Sequence, residues 1–154
     1  MHKSLNTLAA IALSLSLATP AIARTPVPIV DHHHVSWSQN ANGALDTAGV
    51  RDRIIEACQA AGWSVVPGNA PDTLVATLVV RNKHTIRTNI AYTTDTFSIT
   101  YHGSINMNYA VKEPDPYGVT PTVDAVQVRT EVIHPHYNRW VSTLLGAIRT
   151  RLAQ

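Results

Sequence analysis

The sequence predicts an α+β domain: an antiparallel sheet of four to five strands with two helices packed on one face. Three observations carry this. Val50, Ile54, Cys58 and Ala61 recur at three- and four-residue steps, a single apolar stripe on a helix. Tyr137, Trp140, Val141, Leu144, Leu145, Ile148 and Leu152 do the same near the C-terminus. Between the two stripes, short runs alternate apolar and polar residues and are broken by turn residues, the pattern of an antiparallel sheet with one wet face. Both stripes are buried most simply by laying the helices side by side on that sheet.

The elements follow in chain order. Met1 to Ala23 reads as a secretory leader: Lys3, an apolar run from Leu8 to Leu17, then Pro20 and the small-x-small site Ala21-Ile22-Ala23. The run is half the roughly 20 apolar residues that a spanning helix needs. No cysteine lies near the cleavage point to carry a lipid anchor. The expectation is an exported, periplasmic or secreted chain, cut at about Ala23, with no stable membrane anchor afterwards. Taking 23 residues from 154 leaves 131, enough for one domain with its own core. The loss of Lys3 takes the formal net charge from +2 to +1. No Lys/Arg cluster marks a nucleic-acid or anionic-lipid surface. Cys58 is the single cysteine, so no internal disulfide forms.

Residues 24–45 read as an extended arm. Pro26 and Pro28 favour extended backbone, and Ile29 to Trp37 is a candidate edge strand. The domain proper is expected over 46–154. Its first helix runs from Ala48 to Ala61, capped by Asp46 or Thr47 and stopped by Gly62, with Gly49 a weak point. Trp63 to Val66 is a short strand. Thr73 to Arg81, Thr85 to Tyr92 and Thr96 to His102 form a meander, with turns at Asn82-Lys83 and Thr93-Asp95. The inward parity of Phe97, Ile99 and Tyr101 continues through Ile105, Met107, Tyr109 and Val111, so the strand is expected to run past a bend or bulge at Gly103. Lys112 to Pro121 is a Pro/Gly-rich tip. Ala125 to Val132 returns as the other arm of a long hairpin. Pro135 opens the last helix, and Arg149 and Arg151 suit its C-terminal end. Trp140 is expected to fill the core.

Phe97-Ser98-Ile99-Thr100-Tyr101, Ser104, Asn106, Tyr109, Ile133-His134 and Tyr137-Asn138-Arg139-Trp140-Val141 resemble a family of small exported bacterial proteins, many of them predicted lipoproteins of unknown function. The resemblance spans roughly residues 46–152, with the Tyr-Asn-x-Trp helix entrance its most specific part. It implies a helix, a strand meander and a closing helix, and no activity or ligand. The chain departs from it in lacking an anchor cysteine and in a longer segment between Ala110 and Val132.

Histidine is the outlier in composition, with eight residues, seven of them beyond the leader. His32-His33-His34 is one group. In a regular strand His32 and His34 point the same way and can chelate Cu, Ni or Zn. The other reading is a solvated stretch of the arm. His134-Pro135-His136 is the second group. Its alternative role is structural: His134 capping the helix or bonding a strand carbonyl. His32, His34, His134 and His136 together supply the four nitrogens of a metal site if the fold brings them together. His84 and His102 read as scattered surface residues.

Asn106, Tyr109, Tyr137 and Asn138 form a candidate recognition cluster at one end of the sheet, beside Trp140; the alternative is a packed corner. Cys58 lies on the apolar stripe, where a thiol is inert. No phosphate-binding glycine loop, zinc-protease helix or nucleophile elbow is present, and carboxylates are too scattered to nominate a pair. The leading expectation is therefore a non-catalytic protein whose partner is an envelope protein or a small ligand, met through the wet sheet face. The alternative is a periplasmic Cu, Ni or Zn binder using the histidines. An enzyme comes third.

Overall fold

The computed structural model describes residues 24–38, 44–113, 122–123, 126–127 and 130–154. Residues 1–23, expected to be a leader, and 114–121, most of the expected tip, lie outside the described residues. In chain order the elements are β1 (Val27–Pro28), β2 (His32–Ser36), α1 (Thr47–Ala60), β3 (Ser64–Pro67), β4 (Thr73–Val80), β5 (His84–Tyr92), β6 (Thr96–Ile105), β7 (Ala110–Lys112), β8 (Thr122–Val123), β9 (Val126–Gln127), β10 (Thr130–Ile133) and α2 (His136–Leu152). A five-stranded antiparallel sheet has the order β2-β6-β5-β4-β3. A smaller sheet has the order β1-β10-β7, and β8 pairs with β9.

The meander is as predicted, and its register explains the core. Leu74 on β4 faces Ile90 on β5, and Ile90 faces Ile99 on β6. All three are buried. The next inward row is Ala76, Thr88 and Tyr101. These side chains meet the buried stripes of α1 (Val50, Ile54, Ala57, Cys58) and α2 (Tyr137, Val141, Leu144, Ile148, Leu152). Each fully buried Ile or Leu contributes about 1.5–3 kcal/mol, so these rows and stripes supply most of the driving force. Arg151 Nε and Nη2 both donate to Glu56 Oε2 across the helices, at 2.8 and 2.6 Å. Both partners are solvent-exposed, so the pair adds little.

α1 begins where Asp46 Oδ1 accepts the Gly49 backbone N–H at 2.7 Å. This satisfies one of the free N–H groups of the first turn. A Cβ on residue 49 would stand 3.1 Å from that same oxygen, so Gly49 gives the cap its room. Gly62 ends the helix at φ 81. It turns the chain so that Trp63 enters the core, 4% exposed. Trp63 thus takes the central place expected of Trp140, which is only half-buried.

Two corners depart from the periodic reading. At the β4–β5 hairpin the left-handed residues are Arg81 and Asn82, with φ 53 and 50, and Lys83 N–H bonds Val80 O at 3.1 Å. The primed turn sits one residue earlier than Asn82-Lys83. In β6 a bulge falls at His102: Arg87 pairs with Gly103 while Thr88 pairs with Tyr101. The extra residue reverses the parity. Ser104 therefore faces Ile86, and Ile105, expected inside, is 54% exposed. Asn106 and Asn108 then take φ 57 and 50, a conformation that Asn tolerates well. They swing the chain out of the large sheet and into β7. Met107, between them, is buried.

The long hairpin expected from the sequence is reduced to a three-residue pairing: β6 ends at Ile105 in the large sheet, β7 pairs with β10 over Ala110–Lys112 and Thr130–Val132, and Val126–Gln127 pairs with Thr122–Val123 instead. Residues 24–38 are tied to both sheets. β1 pairs with β10, and β2 is the edge strand beside β6. Among the described residues no helix is long and apolar enough to cross a membrane.

Candidate functional site

One pocket of about 260 Å³ collects three histidines from separate parts of the chain: His84, His134 and His136. His84 opens β5 after the hairpin turn. His134 follows β10, and His136 starts α2. Val80, Met107 and Trp140 supply apolar lining, and Arg81 stands at the turn. The pocket lies where the hairpin turn, the Asn106–Asn108 corner and the start of α2 converge.

Hydrogen bonds fix two of the rings. His84 Nδ1 lies 2.7 Å from the Asn106 backbone oxygen. That oxygen only accepts, so Nδ1 carries the hydrogen and Nε2 is left for other partners. His134 Nδ1 accepts the His136 backbone N–H at 3.2 Å. Its proton therefore sits on Nε2, a free donor. His134 also receives the Tyr137 N–H on its carbonyl oxygen, and its own N–H bonds Met107 O at 2.8 Å. The structural reading of His134 holds: it caps α2, in which Pro135 offers no side-chain cap. His136 stacks on Trp140 at 5.4 Å and tilts against His134 at 4.8 Å.

The pocket is electropositive. Burial lowers the His134 pKa below its usual 6.5, helped by the neighbouring His136, Arg24 and His84. His136 is lowered as well, by burial first and then by Arg24, Arg139, His84 and Arg81. Both imidazoles are neutral near pH 7. Among the described residues no carboxylate lines the pocket. α2 has no acidic residue of its own in its first turn, and the negative charge felt there comes from Asp31, which acts on Tyr137.

The other histidine group lies on the edge strand. His32 faces Ile99 and Val35 faces Phe97, with a register shift between them. His34 has φ 50, and its N–H bonds Ser98 Oγ at 3.0 Å. This bulge breaks the alternation that would put His32 and His34 on one side. Among the described residues no group of three or more His, Cys, Asp or Glu is arranged to hold a metal ion. The pair His134 and His136 does come together; the four-nitrogen set does not.

Asn106, Tyr109, Tyr137 and Asn138 divide among three tasks. Asn106 Nδ2 donates to Lys83 O at 2.7 Å and, with its own carbonyl, braces His84. Tyr109 stacks on Tyr101 at 5.0 Å and donates to Glu131 at 2.6 Å, a bond that raises its pKa to about 12. Tyr137 is fully buried and meets Tyr101 edge-on at 5.5 Å. Asn138 bonds the backbone of Pro28 and Val30. Tyr109, Tyr101 and Tyr137 therefore make an aromatic column that runs from the 40%-exposed Tyr109 to the fully buried Tyr137, and the two asparagines hold backbone. Cys58 is buried, and burial pushes its thiol up to about 12, where it is not a nucleophile.

His84, Arg81 and Met107 were not singled out from sequence. The usable signals were the Arg81-Asn82 hairpin, which puts His84 at a strand start, and the Asn-Met-Asn corner. No protein-family model matches the chain, and neither does any curated protein or solved structure.

Proposed function

We propose that this is an exported, non-catalytic binding protein whose ligand site is the pocket formed by His84, His134, His136 and Trp140. The observation that carries this reading is the convergence of three imidazoles and an indole on one 260 Å³ concavity. Such a mixture, a few oriented polar groups on an apolar wall, is what small-ligand sites are made of. Two of the three rings are braced by backbone bonds before any ligand arrives, which lowers the cost of binding. Export is supported by the leader pattern over residues 1–23 and by the resemblance to small exported bacterial proteins.

A fragment screen by two-dimensional NMR on the purified protein tests the pocket. Ligands should perturb the Trp140 indole N–H and the imidazole signals of His84 and His136, and Trp140→Ala should abolish their binding. Ligands that perturb only the open sheet face would sink the reading and restore that face as the interaction surface. Elemental analysis tests the metal alternative. Stoichiometric Cu, Ni or Zn that is lost in His134→Ala and His136→Ala would favour it. N-terminal sequencing of the exported protein should begin near Arg24.

A further inference from the structure

Resting on that pocket reading, we infer that its ligand is a small organic anion with a flat apolar body, of the aromatic carboxylate class. The charge inventory points one way. Arg81 from the hairpin turn lines the pocket together with His84, His134 and His136, and among the described residues no acidic side chain does. Arg24, from the N-terminal segment, acts on both His134 and His136, and Arg139, on α2, acts on His136. The N-terminal end of a 17-residue helix lies beside them without an acidic residue in its first turn. Its backbone dipole adds positive potential on the pocket side, while the Asp31 carboxylate acts on the helix at Tyr137 and is not among the pocket-lining residues described. A cation entering this space meets the Arg81 charge and no carboxylate among the described lining residues, whereas a carboxylate meets that guanidinium and the N–H donor of His134.

The donor geometry agrees. The His134 ring is locked with its hydrogen on Nε2, so it presents a donor while neutral. The Arg81 guanidinium offers a planar fork suited to carboxylate oxygens. The apolar half of the ligand is read from Val80, Met107 and Trp140. Trp140 already has one ring stacked on it, that of His136 at 5.4 Å and 30°, so flat groups suit this wall. A volume of about 260 Å³ admits a single substituted ring.

Three probes of one shape separate the charge: benzoate, benzyl alcohol and benzylamine, titrated into the purified protein and followed at the Trp140 indole N–H and the His136 ring. Benzoate should bind saturably, at least tenfold tighter than benzyl alcohol, with benzylamine weakest. Arg81→Gln, a change at an exposed turn residue, should remove most of the benzoate preference and leave benzyl alcohol unchanged. Equal binding of benzoate and benzyl alcohol would leave the pocket standing and overturn the anion inference. So would tighter binding of benzylamine, or a benzoate preference intact in Arg81→Gln. If none of the three moves these signals at millimolar concentration, the pocket reading itself fails.

Discussion

The Asn138 side chain is bonded to the backbone of Pro28, 110 positions earlier: Nδ2 donates to the Pro28 carbonyl at 2.8 Å. Its Oδ1 accepts the Val30 N–H at 3.1 Å. A side-chain amide thus plays the part of a neighbouring strand and ties the N-terminal segment to the first turn of α2.

Asn138→Ala should cost about 1–2 kcal/mol, the worth of two partly exposed bonds. Denaturant titration measures the loss. Hydrogen exchange should show protection falling at Val30 while the α2 amides stay protected. Asn138→Asp keeps the acceptor for Val30 but sets a carboxylate against the Pro28 carbonyl, so it should be no better than alanine. Unchanged exchange at Val30 would mean that β1 is held by its pairing with β10 alone.

The Tyr137 hydroxyl is buried without a hydrogen-bond partner among the described residues, and Thr88 Oγ1 shares that condition. Burial also raises the Tyr137 pKa. Removing an unpaired polar atom while keeping the ring should not weaken the fold. Tyr137→Phe is expected to be neutral or to stabilise by up to about 1 kcal/mol, whereas removing the ring should cost about 3–5 kcal/mol. Thermal melts of the two variants decide this.

The two tryptophans should separate in the same assay. Trp63 is 4% exposed and packs among α1 and the sheet. Trp63→Ala is expected to cost about 3–5 kcal/mol. Trp140 is half-buried on the pocket wall, so Trp140→Ala should cost clearly less and register mainly in ligand binding. An equal loss would return Trp140 to the core.

Stability should fall with acid through His134 and His136. Both have folded pKa values below the usual 6.5. Below pH 6.5 the unfolded chain takes up protons that the folded chain resists, so stability is full above that pH and declines as pH drops toward the folded values. Melting temperatures measured between pH 8 and 5 should show this slope, and it should flatten in His136→Gln. An anionic ligand in the pocket should oppose the decline, because it favours the protonated rings.

The helices and the meander were legible because each rests on local periodicity and local chemistry. Asp46 caps α1 and Gly62 ends it for reasons contained in a few neighbouring residues. Periodicity failed at His102. One extra residue in β6 reversed the parity, and Ile105 went outward. A bulge is settled by the partner strand, and a single strand's alternation does not reveal it.

The site divides along the same line. His134 and His136 stood out from sequence because Pro135 joins them at a helix start. His84 did not, because its neighbourhood with them is made by the hairpin turn folding over the Asn106–Asn108 corner. The sequence by itself determined an α+β chain with two amphipathic helices, an antiparallel sheet and an unusual supply of histidine. Tertiary structure alone decided which histidines meet, which tryptophan fills the core and that the N-terminal segment joins both sheets. Helix stripes and caps depend on residues within a turn or two of each other. A pocket depends on the register and corners of segments some fifty residues apart, and no local pattern encodes those distances.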